Sequence, residues 1–172
     1  LDQQKGVHQV HHALYYALAN DAQFVLLGSA SEPGINDWFW HEKNHLNENP
    51  DCHLEIGFDE ELAHLIYAAA DIMIVPCNYE PCGLTQIISL KYGTVPVVRG
   101  VGGLVNTIFD WDYDESHSPE ERNGFVFYEN DSYALESALG RALNLYQKEP
   151  ALFEKLAKQG MVCDYSWTKP GS

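Results

Sequence analysis

The residues best suited to chemistry are concentrated in Val75-Pro76-Cys77-Asn78-Tyr79-Glu80-Pro81-Cys82-Gly83-Leu84-Thr85-Gln86. An apolar run of strand character precedes this segment and residues of helical spacing follow it, so it reads as the loop from a buried strand into a helix. Glycine at position 83 lets the backbone approach a ligand, and the first amides of a helix have no intrahelical acceptor. Cys82, Gly83, Leu84 and Thr85 are therefore a candidate anion site of backbone N–H groups and one hydroxyl. The helix dipole adds about 0.3–1 kcal/mol toward a phosphate. Glu80, just before it, would be repelled by phosphate but is well placed to accept hydrogen bonds from sugar hydroxyls. That division of labour suits a sugar diphosphate. The other reading of Glu80 is a cap on the turn before the helix.

Two further groups fit the same ligand. Gly102-Gly103, before Leu104, follows a strand ending at Val98 and is expected to open another helix onto the same crevice. Taken alone, it is equally a tight connection. Lys5, followed by Gly6, supplies an ammonium that would neutralise a diphosphate as it leaves. Metal chemistry finds less support: His8, His11 and His12 have no acidic third ligand beside them and are expected to be a solvated helix face, and no aspartates cluster for magnesium. A dinucleotide fingerprint fails where Gly28 is followed by Ser29 and Ala30. Cys52, Cys77, Cys82 and Cys163 form no C-x-x-C pair and are expected to be free thiols in a reducing compartment.

The elements that must position these groups are legible as alternating runs. Strands are expected at Phe24 to Leu27, His53 to Ile56, Ile72 to Val75, Val95 to Val98 and Phe125 to Phe127. Helical spacing marks Val7, Val10, Leu14, Ala17 and Leu18, then Leu62, Leu65, Ile66 and Ala69, then Leu135, Leu139, Ala142, Leu143 and Tyr146. This predicts an α/β domain, a Rossmann-like parallel sheet with helices on both faces, whose ligands lie beyond the carboxyl ends of the strands. The acidic stretch from Trp111 to Arg122 reads as a solvated insertion before the last strand.

With 172 residues, 45 % of them hydrophobic and 20 % charged, one well-cored domain is expected. The net charge of −15 argues against nucleic acid or an anionic membrane as partner, and no apolar run is long enough to span a bilayer, so the chain reads as soluble. Both ends read as cut. A doubly wound domain is expected to open with a strand, here left outside, and Lys169-Pro170-Gly171-Ser172 reads as a turn into something further.

Several of these segments together, in register along nearly the whole chain, resemble the C-terminal domain of the glycogen synthase and starch synthase family. They are Gln4-Lys5-Gly6, Glu80 to Gln86, Lys91-Tyr92-Gly93-Thr94-Val95-Pro96, Gly102-Gly103-Leu104 and Asp164-Tyr165-Ser166-Trp167. The likeness is strongest to the cyanobacterial-type enzymes and to starch synthases III and IV. It implies a GT-B fold, two Rossmann-like domains across a cleft, in which residues 1–172 form the nucleotide-sugar-binding domain, without its first strand, its final helix and the N-terminal acceptor domain. It implies a retaining transfer of glucose from ADP-glucose to the non-reducing end of an α-1,4-glucan, with no cofactor and no metal. On the matching positions Lys5 would contact the donor phosphates, Glu80 the glucose hydroxyls and Cys82 to Thr85 the phosphates. Phe58 would pack on the adenine, unless it is an ordinary core phenylalanine. Ile88 stands where sucrose-handling relatives carry a second glutamate, and the family's phosphate-binding arginine and its Lys-x-Gly-Gly-Leu loop fall outside the chain. The compartment implied is the cytoplasm of a bacterium or the plastid stroma of a plant or alga. A domain that binds nucleotide sugar or glucan without chemistry is the alternative, against which the presence of Glu80 beside the anion loop argues.

Overall fold

The computed structural model describes residues 3–30, 32–46 and 48–165. Five parallel strands alternate with helices in the order α1 (Val7–Ala19), β1 (Phe24–Gly28), α2 (Pro33–Leu46), β2 (Cys52–Ile56), α3 (Glu60–Ala69), β3 (Ile72–Val75), α4 (Thr85–Tyr92), β4 (Val95–Arg99), β5 (Phe125–Phe127), α5 (Ser132–Lys148) and α6 (Pro150–Val162). All five strands fall where the apolar runs predict them. Helices α2 and α6 do not follow from the spacing argument. The first is amphipathic only weakly, being rich in Asn, Asp, His and Lys, and the second starts at Pro150, whose fixed φ suits the first helical turn.

Hydrogen bonding divides the expected single sheet in two. β1 pairs with β2, Phe24 opposite Cys52, while β3, β4 and β5 form a second parallel sheet with Ile72 opposite Val95 and Val97 opposite Phe125. One apolar core nevertheless serves both sheets. Phe24 and Leu54 share it with Val95, Val97 and Phe125, and α1 and α5 close it with Val10, Leu14, Leu135 and Leu139. The opposite face of the larger sheet packs Val75, Val98 and Val126 against Leu90 of α4 and against Leu104 and Ile108. Neighbouring residues such as Val97 and Val98 thus serve opposite cores. A strand buried on both faces reads as a continuous apolar run for this reason.

The helix starts follow local chemistry. Asp59 caps α3 by accepting from the Leu62 N–H at 2.9 Å, and Asp131 caps α5 through the Ala134 N–H at 2.8 Å. Two expectations need correction. His11 and His12 are not a solvated face: His11 packs edge-on against Trp38 of α2, and His12 Nε2 lies 2.6 Å from Glu136 of α5, because α1 is clasped between those helices. The segment Gly102–Asn106 is a short 3-10 turn and not an α-helix. The Trp111-to-Arg122 insertion is largely exposed, as expected, and is braced by carboxylates within and beside it. Asp110, buried, accepts both N–H arms of Arg141, Asp114 accepts the N–H groups of Ser116 and His117, and His117 stacks on Phe109 at 3.6 Å. Burial alone would lower the Arg141 pKa, but the hydrogen bonds it donates to Asp110 and Asp112 overcome this and raise it.

All four cysteines are free thiols, with Cys52 and Cys77 buried. Among the described residues no helix is long and apolar enough to cross a membrane. Ser166, Trp167 and the Lys169-to-Ser172 turn lie outside the described residues; Tyr165 lies within them, its hydroxyl donating to the Thr107 carbonyl at 2.6 Å.

Candidate functional site

Three loops meet at the carboxyl end of the larger sheet. The first is the 3-10 turn Gln3–Lys5 with Gly6, the second runs from Pro76 to Leu84 between β3 and α4, and the third holds Gly100 to Gly103 after β4. Their backbones touch. Gly6 has φ +71°, and a Cβ on it would lie 2.0 Å from the Pro76 carbonyl oxygen. On Gly103 a Cβ would lie 2.3 Å from the Cys82 carbonyl oxygen. Only glycine allows these approaches. The Asn78 N–H donates to the Gln4 carbonyl at 2.7 Å, and the Gly103 N–H donates to the Glu80 carbonyl at 2.9 Å. The Gly103 amide thus holds the loop in shape, a task distinct from the ligand contact expected of it, while Gly102 remains exposed at the surface.

That packing brings Lys5 and Glu80, 75 positions apart in the chain, into contact at 2.6 Å. The Glu80 side chain is only 14 % exposed, that of Lys5 50 %. The Glu80 carboxylate accepts from Lys5 Nζ, from Cys77 Sγ at 3.6 Å and from the Gly83 N–H. The Lys5 hydrogen bond is the chief reason its pKa lies below the ordinary value of 4.5, with partial burial opposing. A turn-capping contact and an orientable charge therefore coexist in one side chain. The helix α4 itself starts at Leu84 with no side-chain cap. Its first bonded amide is that of Ile88, which donates to the Leu84 carbonyl at 2.8 Å. The N–H groups of Thr85, Gln86 and Ile87 precede the helical ladder and point out of its end.

Around this point Cys82 and Leu84 are exposed, Thr85 is half-buried and Gly83 is buried. Phe58 stands apart, at the carboxyl end of β2 in the smaller sheet, where the Gly57 N–H donates to the Gly28 carbonyl. It is 90 % exposed, so it is not a core residue. The structure also shows supports that residue spacing did not reveal. Buried Gln86 donates to the carbonyls of Cys82 (3.3 Å) and Gly83 (3.0 Å) and to Thr107 Oγ1 (3.2 Å), and so ties the β3–α4 loop to the turn after β4. Arg99 donates to Asn78 Oδ1 at 3.1 Å, and Asn78 donates to the Gln3 carbonyl at 2.6 Å. Gln86 belongs to the quoted segment, a signal of position but not of partner; nothing in the sequence pairs Arg99 with Asn78. Among the described residues no three His, Cys, Asp or Glu side chains are grouped to hold a metal ion.

A parallel α/β domain with a cation–carboxylate pair over a helix-opening loop defines a Rossmann-like domain of the GT-B glycosyltransferase kind. The chain belongs to the glycosyl transferases group 1 family, which it matches over residues 1–160. It is 71 % identical over 171 residues to a probable glycogen synthase 2 of Synechocystis sp., covering 99 % of this chain and 35 % of that protein. To a probable glycogen synthase 2 of Nostoc sp. it is 67 % identical, covering 100 % of this chain and again 35 % of the relative. The catalytic domain of starch synthase IV from Arabidopsis thaliana, solved with ADP and acarbose bound, superposes with a TM-score of 0.95 at 40 % identity, over 98 % of this chain and 34 % of that one. The chain thus spans about a third of the length of the relatives it matches.

Proposed function

We propose that this chain is the nucleotide-sugar-binding, C-terminal domain of a retaining glucosyltransferase that moves glucose from ADP-glucose to the non-reducing end of an α-1,4-glucan. The observation that carries the reading is the 2.6 Å contact of Lys5 with Glu80 where the three loops meet. Similarity to glycogen synthases and to a starch synthase IV catalytic domain bound to ADP supports the choice of donor and product. The bacterial source of those glycogen synthases supports a cytoplasmic reaction, and plastid stroma is the counterpart if the chain is of plant or algal origin.

Without donor, the ion pair keeps each charge compensated. When ADP-glucose enters, the partners exchange: Lys5 turns to the diphosphate, and the Glu80 carboxylate accepts from glucose hydroxyls in place of the ammonium. Departure of ADP builds negative charge on the distal phosphate oxygen. Lys5 and the N–H groups opening α4, with the Thr85 hydroxyl, are fixed donors for that charge and stabilise the transition state more than the ground state. We assign no cofactor and no metal, the countercharge for phosphate coming from these groups. Phe58, exposed at the end of β2, packs on the adenine, and Gly102 and Gly103 shape the cleft wall beside Glu80. Acceptor binding is assigned to a second domain of the intact enzyme.

Glu80→Gln in the intact enzyme tests this. The amide oxygen still accepts from the Gly83 N–H, but the charge is gone. Turnover is expected to fall by about 100-fold or more, equivalent to roughly 2.7 kcal/mol. Affinity for ADP should hold or rise, since Lys5 no longer has to leave a carboxylate. Near-normal turnover with stability lowered by about 0.5–2 kcal/mol would make Glu80 a cap and remove it from the chemistry.

A further inference from the structure

Beside the third loop, where Tyr128 packs on Gly100, the 110–122 loop and the edge formed by β5 and α5 line an open cavity of about 460 Å³. Its volume is in the range of small-molecule sites. Two tyrosines line it, each with its ring braced against a neighbour and much of the side chain open. Tyr113 lies on the Arg141 guanidinium at 4.6 Å and is 69 % exposed. Tyr128 lies against Gly100, so close that a Cβ there would be 2.5 Å from a ring carbon, and is 64 % exposed. Rings braced in this way lose little side-chain freedom on stacking against a ligand. Glu115, Ser116 and Glu129 join them in the lining and offer hydrogen-bond acceptors.

The charges decide what kind of ligand fits. Arg141, the cation of the lining, is bound to Asp110 at 2.9 Å and to Asp112 at 2.7 Å. Asp114 is engaged by the N–H groups of Ser116 and His117. An anion such as a nucleotide meets net negative charge here. An uncharged polyol whose C–H faces lie on the tyrosines and whose hydroxyls reach Glu115 and Glu129 meets suitable partners on both counts.

We propose that this cavity is a second carbohydrate site, separate from the donor pocket, that holds a stretch of α-glucan on Tyr113 and Tyr128. The ligand class, a neutral sugar, follows from the cavity itself; the choice of α-glucan rests on the proposed glucosyltransferase. Such a site would keep the enzyme on a polymer between transfers, an effect that a short acceptor does not need.

The test uses the intact enzyme and its variants Tyr113→Ala, Tyr128→Ala and the pair, with Glu129→Gln as a variant that leaves both rings in place. Retardation in native gels containing glycogen reads binding without catalysis. Glycogen binding is expected to weaken by about tenfold in the double variant and less in Glu129→Gln, with the melting temperature unchanged because both rings are exposed. Turnover on maltotriose at saturation should stay at the parent value. Unaltered retardation in the double variant overturns the proposal. So does binding of an oligolysine peptide that the same substitutions abolish while glycogen binding persists, which would make the cavity a site for basic peptides. If the parent enzyme transfers no glucose yet is retarded through the two tyrosines, the donor reading fails and the carbohydrate site stands.

Discussion

At the scale of single residues, Glu80 and Phe58 depend on opposite environments. Glu80 is largely enclosed and held by Lys5, so its ionisation is coupled to folding. Its folded-state pKa lies below the 4.5 of the free group. Its contribution to stability is therefore fully present above that value and is lost as pH falls through the lower folded value. On acidification from about pH 6 to below about pH 4, the melting temperature should fall more steeply for the parent than for Glu80→Gln. Parallel curves would show that the Lys5 contact contributes nothing to the folded state. Phe58, being 90 % exposed, has little packing to lose. In the intact enzyme Phe58→Ala should weaken ADP-glucose by about 1–3 kcal/mol, by analogy with stacking of bases on aromatic rings. Its melting point should shift by no more than an exposed substitution does, about 0.5 kcal/mol. An unchanged Michaelis constant for ADP-glucose would remove Phe58 from the donor site.

At the scale of elements, the site depends on loops that approach one another through glycine. The N-terminal turn has no long-range anchor in a sheet; it is held to the β3–α4 loop by the Asn78–Gln4 and Asn78–Gln3 hydrogen bonds and by the close fit of Gly6 against Pro76. Gly6→Ala forces a side chain into φ +71° and into the Pro76 carbonyl. The expected cost is about 1–3 kcal/mol of stability, with a parallel loss of ADP affinity as the turn that carries Lys5 is displaced from the site. Urea denaturation and ADP titration of the same preparation check both. A variant with parental values in each would show that the turn positions Lys5 by some other contact. Gln86 has the matching role beneath the β3–α4 loop, its amide reaching Cys82, Gly83 and Thr107 at once.

At the scale of the whole molecule, two parallel sheets share one core through α1 and α5, and the three-loop site lies at the end of the larger. The chain spans 35 % of the Synechocystis relative. Purified by itself, the chain is expected to incorporate no labelled glucose into glycogen from ADP-glucose. Robust incorporation would refute the assignment of the acceptor site to another domain.

Much of this architecture was determined by the sequence. The strands were legible because residues such as Val97 and Val98 are buried on opposite faces, which makes the strand a run of apolar side chains that stands out from its surroundings. The loop from Glu80 to Thr85 was legible because Gly83, the strand before it and the helix after it are local features. The split of the sheet, the turn at Gly102 and the clasp on His11 and His12 were decided by tertiary structure, since each depends on partners far along the chain. The contact between Lys5 and Glu80 is of the same kind. Residue types and motif order led to the expectation of Lys5 at the phosphates and Glu80 at the sugar of one ligand, but only the folding of three loops onto one another, through glycines too small to prevent it, put one ammonium on one carboxylate.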